Sequence, residues 1–134
     1  MNTRWLMRAS AVSLGLIGIA ASFLPKEILS AAGAPELPML AVGIQLLGAA
    51  YVGLAMLNWM AQANLIGGIY GRPVAVCNLT NFAIGFLALA KTATLTPPNF
   101  PIIILTGYFG VFAALFALVL RTHPARAEEA RSDA

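Results

Sequence analysis

The stretch PIIILTGYFGVFAALFALVL, residues 101–120, contains no charged side chain. A helix needs about 20 consecutive apolar residues to cross the hydrocarbon core of a bilayer. Three more apolar segments precede this one, at about residues 5–24, 38–60 and 74–90. The sequence therefore predicts an all-α membrane protein, folded as a bundle of four transmembrane helices.

The composition of the whole chain supports a single integral membrane domain over residues 1–134. Of the 134 residues, 60% are hydrophobic and 10% are charged, whereas an average soluble domain is about 45–50% apolar and about 25% charged. The polar tail at residues 122–134 is too short for a separate soluble domain. The first segment also has features of a cleavable signal peptide, but its apolar core is long for one, so we expect it to remain as a span.

The loop charges predict the orientation of the four spans. With four spans, one side of the membrane receives six arginines and the other side receives Lys26 and Lys91. The six are Arg4, Arg8, Arg72, Arg121, Arg126 and Arg131. Because basic loops stay in the cytoplasm, we expect a multi-pass protein of the bacterial cytoplasmic (inner) membrane, with the N-terminus and the C-terminus in the cytoplasm.

Two connections have distinct characters. Residues 25–37 are expected to form an outer loop, because Pro25, Gly33 and Pro35 interrupt them. The inner connection, at about residues 61–73, is unusually apolar. A helix continuing from residue 38 to residue 66 would be ~43 Å long, more than the ~30 Å hydrocarbon core, so we expect a break at Gly67-Gly68.

The residues that are absent exclude most chemistry. Cys77 is the single cysteine and excludes an internal disulfide, while the single histidine, His123, lies in the polar tail. None of the spans contains a carboxylate, which argues against ion-coupled transport. We therefore predict no catalytic residue, no metal site, no cofactor and no nucleic-acid partner, and we interpret the net charge of +3 as a topology signal.

Polar side chains are concentrated near the predicted cytoplasmic ends of the second and third spans. The candidate ligand-binding residues are Asn58, Gln62, Tyr70, Arg72, Asn78 and Asn81. One interpretation is a pocket for a quinone ring or a lipid headgroup, with Arg72 contacting an anion and the amides donating hydrogen bonds. The other is that the amides cap helix ends and Arg72 is a positively charged anchor.

Small residues recur along one face of each predicted helix. The candidate helix-packing residues are Gly15, Gly18, Gly85, Gly110 and Ala113. Small residues let helix backbones approach closely in lipid. These stripes either hold the four helices of one chain together, or one of them faces a partner protein or a second copy of the chain.

The order of these features resembles small bacterial four-helix membrane proteins of the DoxX-like type. The resemblance rests on the sequence GAAYVGLAMLNW at residues 48–59, on Gly71-Arg72-Pro73 and on Asn78. It implies a four-helix bundle and a redox context, because some members of that group look like membrane subunits of quinone-linked sulfur oxidation. It transfers no catalytic residue to this chain.

We therefore expect a non-catalytic accessory or structural subunit. Its partners would be the lipid bilayer and either another membrane protein or further copies of itself. A quinone- or lipid-binding module is one alternative function. A facilitator-type channel or transporter is another, and it would require a polar path across the membrane.

Overall fold

The computed structural model describes residues 3–62, 71–95 and 100–122 of the chain. Within these ranges the regular structure is entirely helical. The helices are α1 (Thr3–Phe23), α2 (Pro25–Ala31), α3 (Pro38–Ala61), α4 (Gly71–Leu95) and α5 (Phe100–Thr122). All but α2 are long and apolar enough to cross a membrane. The prediction of an all-α chain with four long apolar helices is thus confirmed for the part that the structure describes.

The chain divides into two compact units. The first unit is Met7–Met60, which includes most of α1, all of α2 and nearly all of α3. The second unit combines Met1–Leu6 with Ala61–Ala134 and includes α4 and α5. Each unit contains a pair of long helices, and the contacts that hold each pair are described below.

The helices extend beyond some of the segments expected from hydropathy. α4 begins at Gly71 and ends at Leu95, so both Pro73 and Lys91 lie inside it. Proline is tolerated in the first turn of a helix, where its missing N–H would have no partner. The expected break at Gly67-Gly68 and the tail after Thr122 lie outside the described residues.

The connection after α1 differs from the expected loop, because Pro25–Ala31 forms the short helix α2. Pro25 lies at the start of this helix, where its fixed φ is favourable. Gly33 has a φ of 68°, and its N–H donates to the Ser30 carbonyl while the N–H of Ala34 donates to the Leu29 carbonyl. This is the hydrogen-bond pattern of a Schellman helix end, which favours glycine. Pro25 and Gly33, which were expected to interrupt the chain in a loop, therefore lie at the two ends of a helix.

Hydroxyl groups inside the long helices are hydrogen-bonded to their own backbone. Ser13 Oγ donates to the Ala9 carbonyl at 2.7 Å, and Ser22 Oγ donates to the Gly18 carbonyl at 2.8 Å. Thr106 Oγ1 donates to a carbonyl one turn earlier in α5, at 2.7 Å. An unpaired polar group is costly in hydrocarbon, so these bonds make the hydroxyls compatible with a membrane span.

Candidate functional site

The backbones of α1 and α3 touch at a pair of glycines in the first unit. A Cβ atom added to Gly48 would lie 2.7 Å from the Gly18 carbonyl oxygen and 2.7 Å from the backbone nitrogen of Ser22. A Cβ atom added to Gly18 would lie 2.8 Å from the Gly48 carbonyl oxygen. Further along, Gly15 approaches Ala55. Because residue numbers rise along α1 as they fall along α3, the two helices are antiparallel and packed as closely as glycine allows.

A buried hydrogen bond joins the same two helices near the other end of their contact. Asn58 Nδ2 donates to Ser10 Oγ at 3.1 Å, and Ser10 Oγ donates to the Met7 carbonyl at 3.0 Å. Both side chains are completely buried. Asn58, a candidate ligand-binding residue, therefore makes a contact that holds α1 to α3.

In the second unit, α4 and α5 are joined by a reciprocal pairing of glycine with phenylalanine. A Cβ atom added to Gly85 on α4 would collide with the ring of Phe109 on α5. A Cβ atom added to Gly110 on α5 would lie 3.0 Å from Phe86 Cδ2 on α4. Each glycine thus makes room for an aromatic ring of the opposite helix. Ala113, the remaining candidate packing residue, follows on α5 and is half-buried.

An aromatic cluster surrounds Phe82, which is completely buried in this unit. The rings of Phe82 and Phe112 stack with centroids 4.9 Å apart, and those of Phe82 and Phe116 with centroids 5.8 Å apart. Phe109 approaches Phe82 edge-on at 5.5 Å. Such pairs contribute roughly 0.5–1.5 kcal/mol each beyond their buried area, so the cluster is a major stabilising contact between α4 and α5.

The other candidate ligand-binding residues have different environments in the second unit. Arg72 is exposed at the start of α4, and Gln62 is half-buried just after α3. Asn78 is completely buried, and its Nδ2 donates to the Val74 carbonyl at 2.8 Å. Tyr70 lies outside the described residues.

Asn81 is half-buried and differs from Asn58 and Asn78. Its Nδ2 atom is buried but has no hydrogen-bond partner among the described residues. It lies one turn after Asn78 on the same face of α4. A buried N–H without an acceptor typically costs about 1–3 kcal/mol, so this amide has an unused capacity to bind a hydrogen-bond acceptor.

One face of α3 is exposed along the whole helix and includes two glycines. The residues of this exposed α3 face are Met39, Gly43, Leu46, Ala50, Gly53, Leu57 and Met60. At 100° per residue they occupy an arc of about 100°. A Cβ atom added to Gly43 or Gly53 would meet nothing within 4 Å. These glycines leave the backbone of α3 accessible from outside the described chain.

The described residues offer little for metal or covalent chemistry. No group of three or more His, Cys, Asp and Glu side chains that could hold a metal ion occurs in residues 3–62, 71–95 and 100–122. Cys77 is exposed on α4. The arrangement is suited to packing and to hydrogen bonding.

Sequence reasoning missed Ser10, Gly48 and the aromatic partners of Gly85 and Gly110. Gly48 adjoins two alanines in the segment GAA at residues 48–50, which is a signal for a close helix contact. No local signal distinguishes Ser10, which bonds across helices, from Ser13, which bonds to its own backbone.

Comparison with known proteins gives no match to any protein-family model, to any curated protein or to any solved structure. The resemblance to DoxX-like proteins therefore stays a prediction.

Proposed function

We propose that this chain is a non-catalytic subunit of the bacterial cytoplasmic membrane that packs against another integral membrane protein. The exposed α3 face would be the contact surface, and both termini would lie in the cytoplasm. The observation that carries the proposal is the pair Gly43 and Gly53, which are exposed and where an added Cβ atom would meet no other described residue within 4 Å.

The physical argument concerns what a glycine does inside a helix. Glycine in a helix interior is less favourable than alanine by roughly 0.5–1 kcal/mol. At Gly18 and Gly48 this cost is offset by close packing of two backbones. Gly43 and Gly53 have no such contact within the described chain. A helix from a second protein, approaching this face as closely as α1 approaches Gly48, would supply one.

The non-catalytic part of the proposal is supported by the polar side chains of the long helices. Ser10, Asn58 and Asn78 are completely buried and hydrogen-bonded within the chain: Asn58 bonds to Ser10 across helices, and Asn78 bonds to the Val74 carbonyl within α4. These residues therefore stabilise the units. The cytoplasmic placement of both termini is supported by the excess of arginine in the loops assigned to that side.

The experiment is native mass spectrometry of the full chain, extracted with its surrounding lipid into nanodiscs. We expect a second protein in a fixed ratio to the chain. Gly43→Leu and Gly53→Leu should each remove that protein, because the new side chain holds the partner backbone away. Their own resistance to unfolding should not fall, because both positions are open.

Gly107→Leu is the matched control, because Gly107 is also exposed and open but lies on α5. It should leave the complex intact. A complex that survives both α3 substitutions would show that this face is not the contact surface. A second copy of the same chain in place of a different protein would assign the face to a homo-oligomer.

A second candidate function is favoured by the buried Nδ2 atom of Asn81, which has no hydrogen-bond partner in the described part of the chain. A quinone presents a carbonyl oxygen on an apolar ring, and it is therefore a suitable acceptor for a buried amide in hydrocarbon. A lipid ester carbonyl offers the same group. In this function the chain is a quinone- or lipid-binding module, with its site on α4.

Binding of ubiquinone and menaquinone to the purified chain tests this candidate. Asn81→Leu should weaken quinone binding by about tenfold or more, since a lost hydrogen bond of about 1.4 kcal/mol corresponds to a factor of ten. Thr80→Val is the control, because Thr80 is exposed at the preceding position of the same helix. Equal quinone affinity of the Asn81 variant and the unchanged chain would exclude this site.

A further inference from the structure

A cavity of about 450 Å³ lies in the first unit, where α2 and the segment after it meet the first turns of α3. Lys26, Glu36 and Gln45 line it together with apolar side chains such as Leu29. We propose that this cavity, called here the headgroup pocket, binds the headgroup of a zwitterionic phospholipid with a primary ammonium group, phosphatidylethanolamine.

The two charges of the headgroup pocket have opposite signs and are not paired with each other. Lys26 and Glu36 both line the cavity, both are exposed, and neither forms an ion pair with a described residue. A ligand that carries one anionic and one cationic group would satisfy both. The Lys26 ammonium would donate to a phosphate oxygen, and the Glu36 carboxylate would accept from the ligand's ammonium.

Gln45 contributes to the choice of the cationic group. Its Nε2 donates to the Ser22 carbonyl near the end of α1, at 3.3 Å, which ties the amide to α1. The Oε1 atom then remains as an acceptor on a residue that lines the same cavity as Glu36. A primary ammonium has three N–H donors for these oxygens, whereas the trimethylammonium of choline has none. The pocket therefore favours ethanolamine over choline.

The position of the pocket along the helices favours a lipid over a soluble zwitterion. Lys26 follows the end of α1 at Phe23, and Glu36 precedes the start of α3 at Pro38. The ends of membrane-spanning helices lie at the level of the lipid headgroups. Phe23 is 79% exposed and Met39 is 82% exposed. These side chains provide apolar surface next to the pocket for the acyl chains of the bound lipid.

The test is native mass spectrometry of the purified full chain, titrated with phosphatidylethanolamine, phosphatidylcholine and phosphatidylglycerol that carry identical acyl chains. We expect phosphatidylethanolamine to bind about tenfold more tightly than phosphatidylcholine, as the loss of charge-assisted hydrogen bonds predicts. Glu36→Gln should abolish that preference. Lys26→Gln should weaken the binding of phosphatidylethanolamine and of phosphatidylcholine alike, because each contains the phosphate.

Glu27→Gln and Lys91→Gln are the matched controls. Glu27 is exposed on α2 but does not line the pocket, and Lys91 is exposed on α4. Both variants should keep the preference for phosphatidylethanolamine. All four substitutions change exposed side chains, so we expect the fold to be retained.

Three results would overturn the proposal. The first is equal binding of phosphatidylethanolamine and phosphatidylcholine by the unchanged chain. The second is a preference for phosphatidylglycerol, which would mean that Lys26 acts alone as a site for anionic lipids. The third is displacement of the lipid by an equal concentration of soluble glycerophosphoethanolamine, which would assign the pocket to a soluble ligand.

Discussion

Replacing Gly48 with alanine tests the backbone contact between α1 and α3. The new methyl group would lie 2.7 Å from two backbone atoms, the Gly18 oxygen and the Ser22 nitrogen, whereas ordinary contact begins at 3.4 Å. The helices must therefore separate by about 0.7 Å at this point, the difference between those two distances. Neither backbone atom can rotate away as the end of a flexible side chain can.

The cost of that separation can be estimated. A gap of 0.5–1 Å removes roughly a quarter to a half of the dispersion energy of each contact. Overpacking of this kind typically costs about 1–3 kcal/mol, and the better helix propensity of alanine returns roughly 0.5–1 kcal/mol. We expect Gly48→Ala to lower the free energy of unfolding by about 1 kcal/mol, the difference between the midpoints of these two ranges.

The assay is reversible unfolding by SDS in mixed micelles, followed by tryptophan fluorescence. Gly43→Ala is the control, because it makes the same change on the same helix in open space. It should raise the free energy of unfolding by roughly 0.5–1 kcal/mol. If the two variants shift the unfolding midpoint in the same direction, the close contact between Gly18 and Gly48 does not exist in the folded chain.

The same assay checks two further predictions. A double-mutant cycle of Ser10→Ala and Asn58→Leu should give a coupling energy of about 0.6 kcal/mol, the average for interhelical hydrogen bonds in a membrane protein; a coupling of zero would contradict the 3.1 Å hydrogen bond. Asn81→Leu should stabilise the chain without ligand by about 1 kcal/mol because it removes an unpaired N–H, whereas Asn78→Leu should destabilise it because Asn78 is buried and hydrogen-bonded. Equal effects of the two asparagine variants would show that Asn81 has a partner.

The four long helices were predictable because length and absence of charge are properties of a segment by itself. Helix α2 was not predictable, because Pro25 and Gly33 are compatible with two different structures. Either residue interrupts a long helix, but each is also favoured at one end of a short helix. Leu29 is the buried residue of α2, and its burial depends on packing against other parts of the chain, which the local sequence does not show.

The contacts between helices were predictable in part. Gly15, Gly18, Gly85 and Gly110 all lie where the structure brings two helices together. The sequence does not indicate which residue each one meets, because that depends on the rotation and stagger of a second helix. For the same reason nothing local predicted that α5 would place Phe109 over Gly85.

The asparagines Asn58, Asn78 and Asn81 show how far the candidate site could be predicted. Amides near the ends of apolar helices were identified as one cluster, but their local sequences do not reveal which ones find partners within the chain. Asn58 bonds across helices, Asn78 bonds within α4, and Asn81 keeps a donor that has no acceptor among the described residues. The proposed quinone site therefore rests on Asn81, whereas the proposed protein contact on the exposed α3 face rests on Gly43 and Gly53. Because these residues lie in different units, substitutions at one site leave the other intact, and the two proposed functions can be tested separately in the same chain.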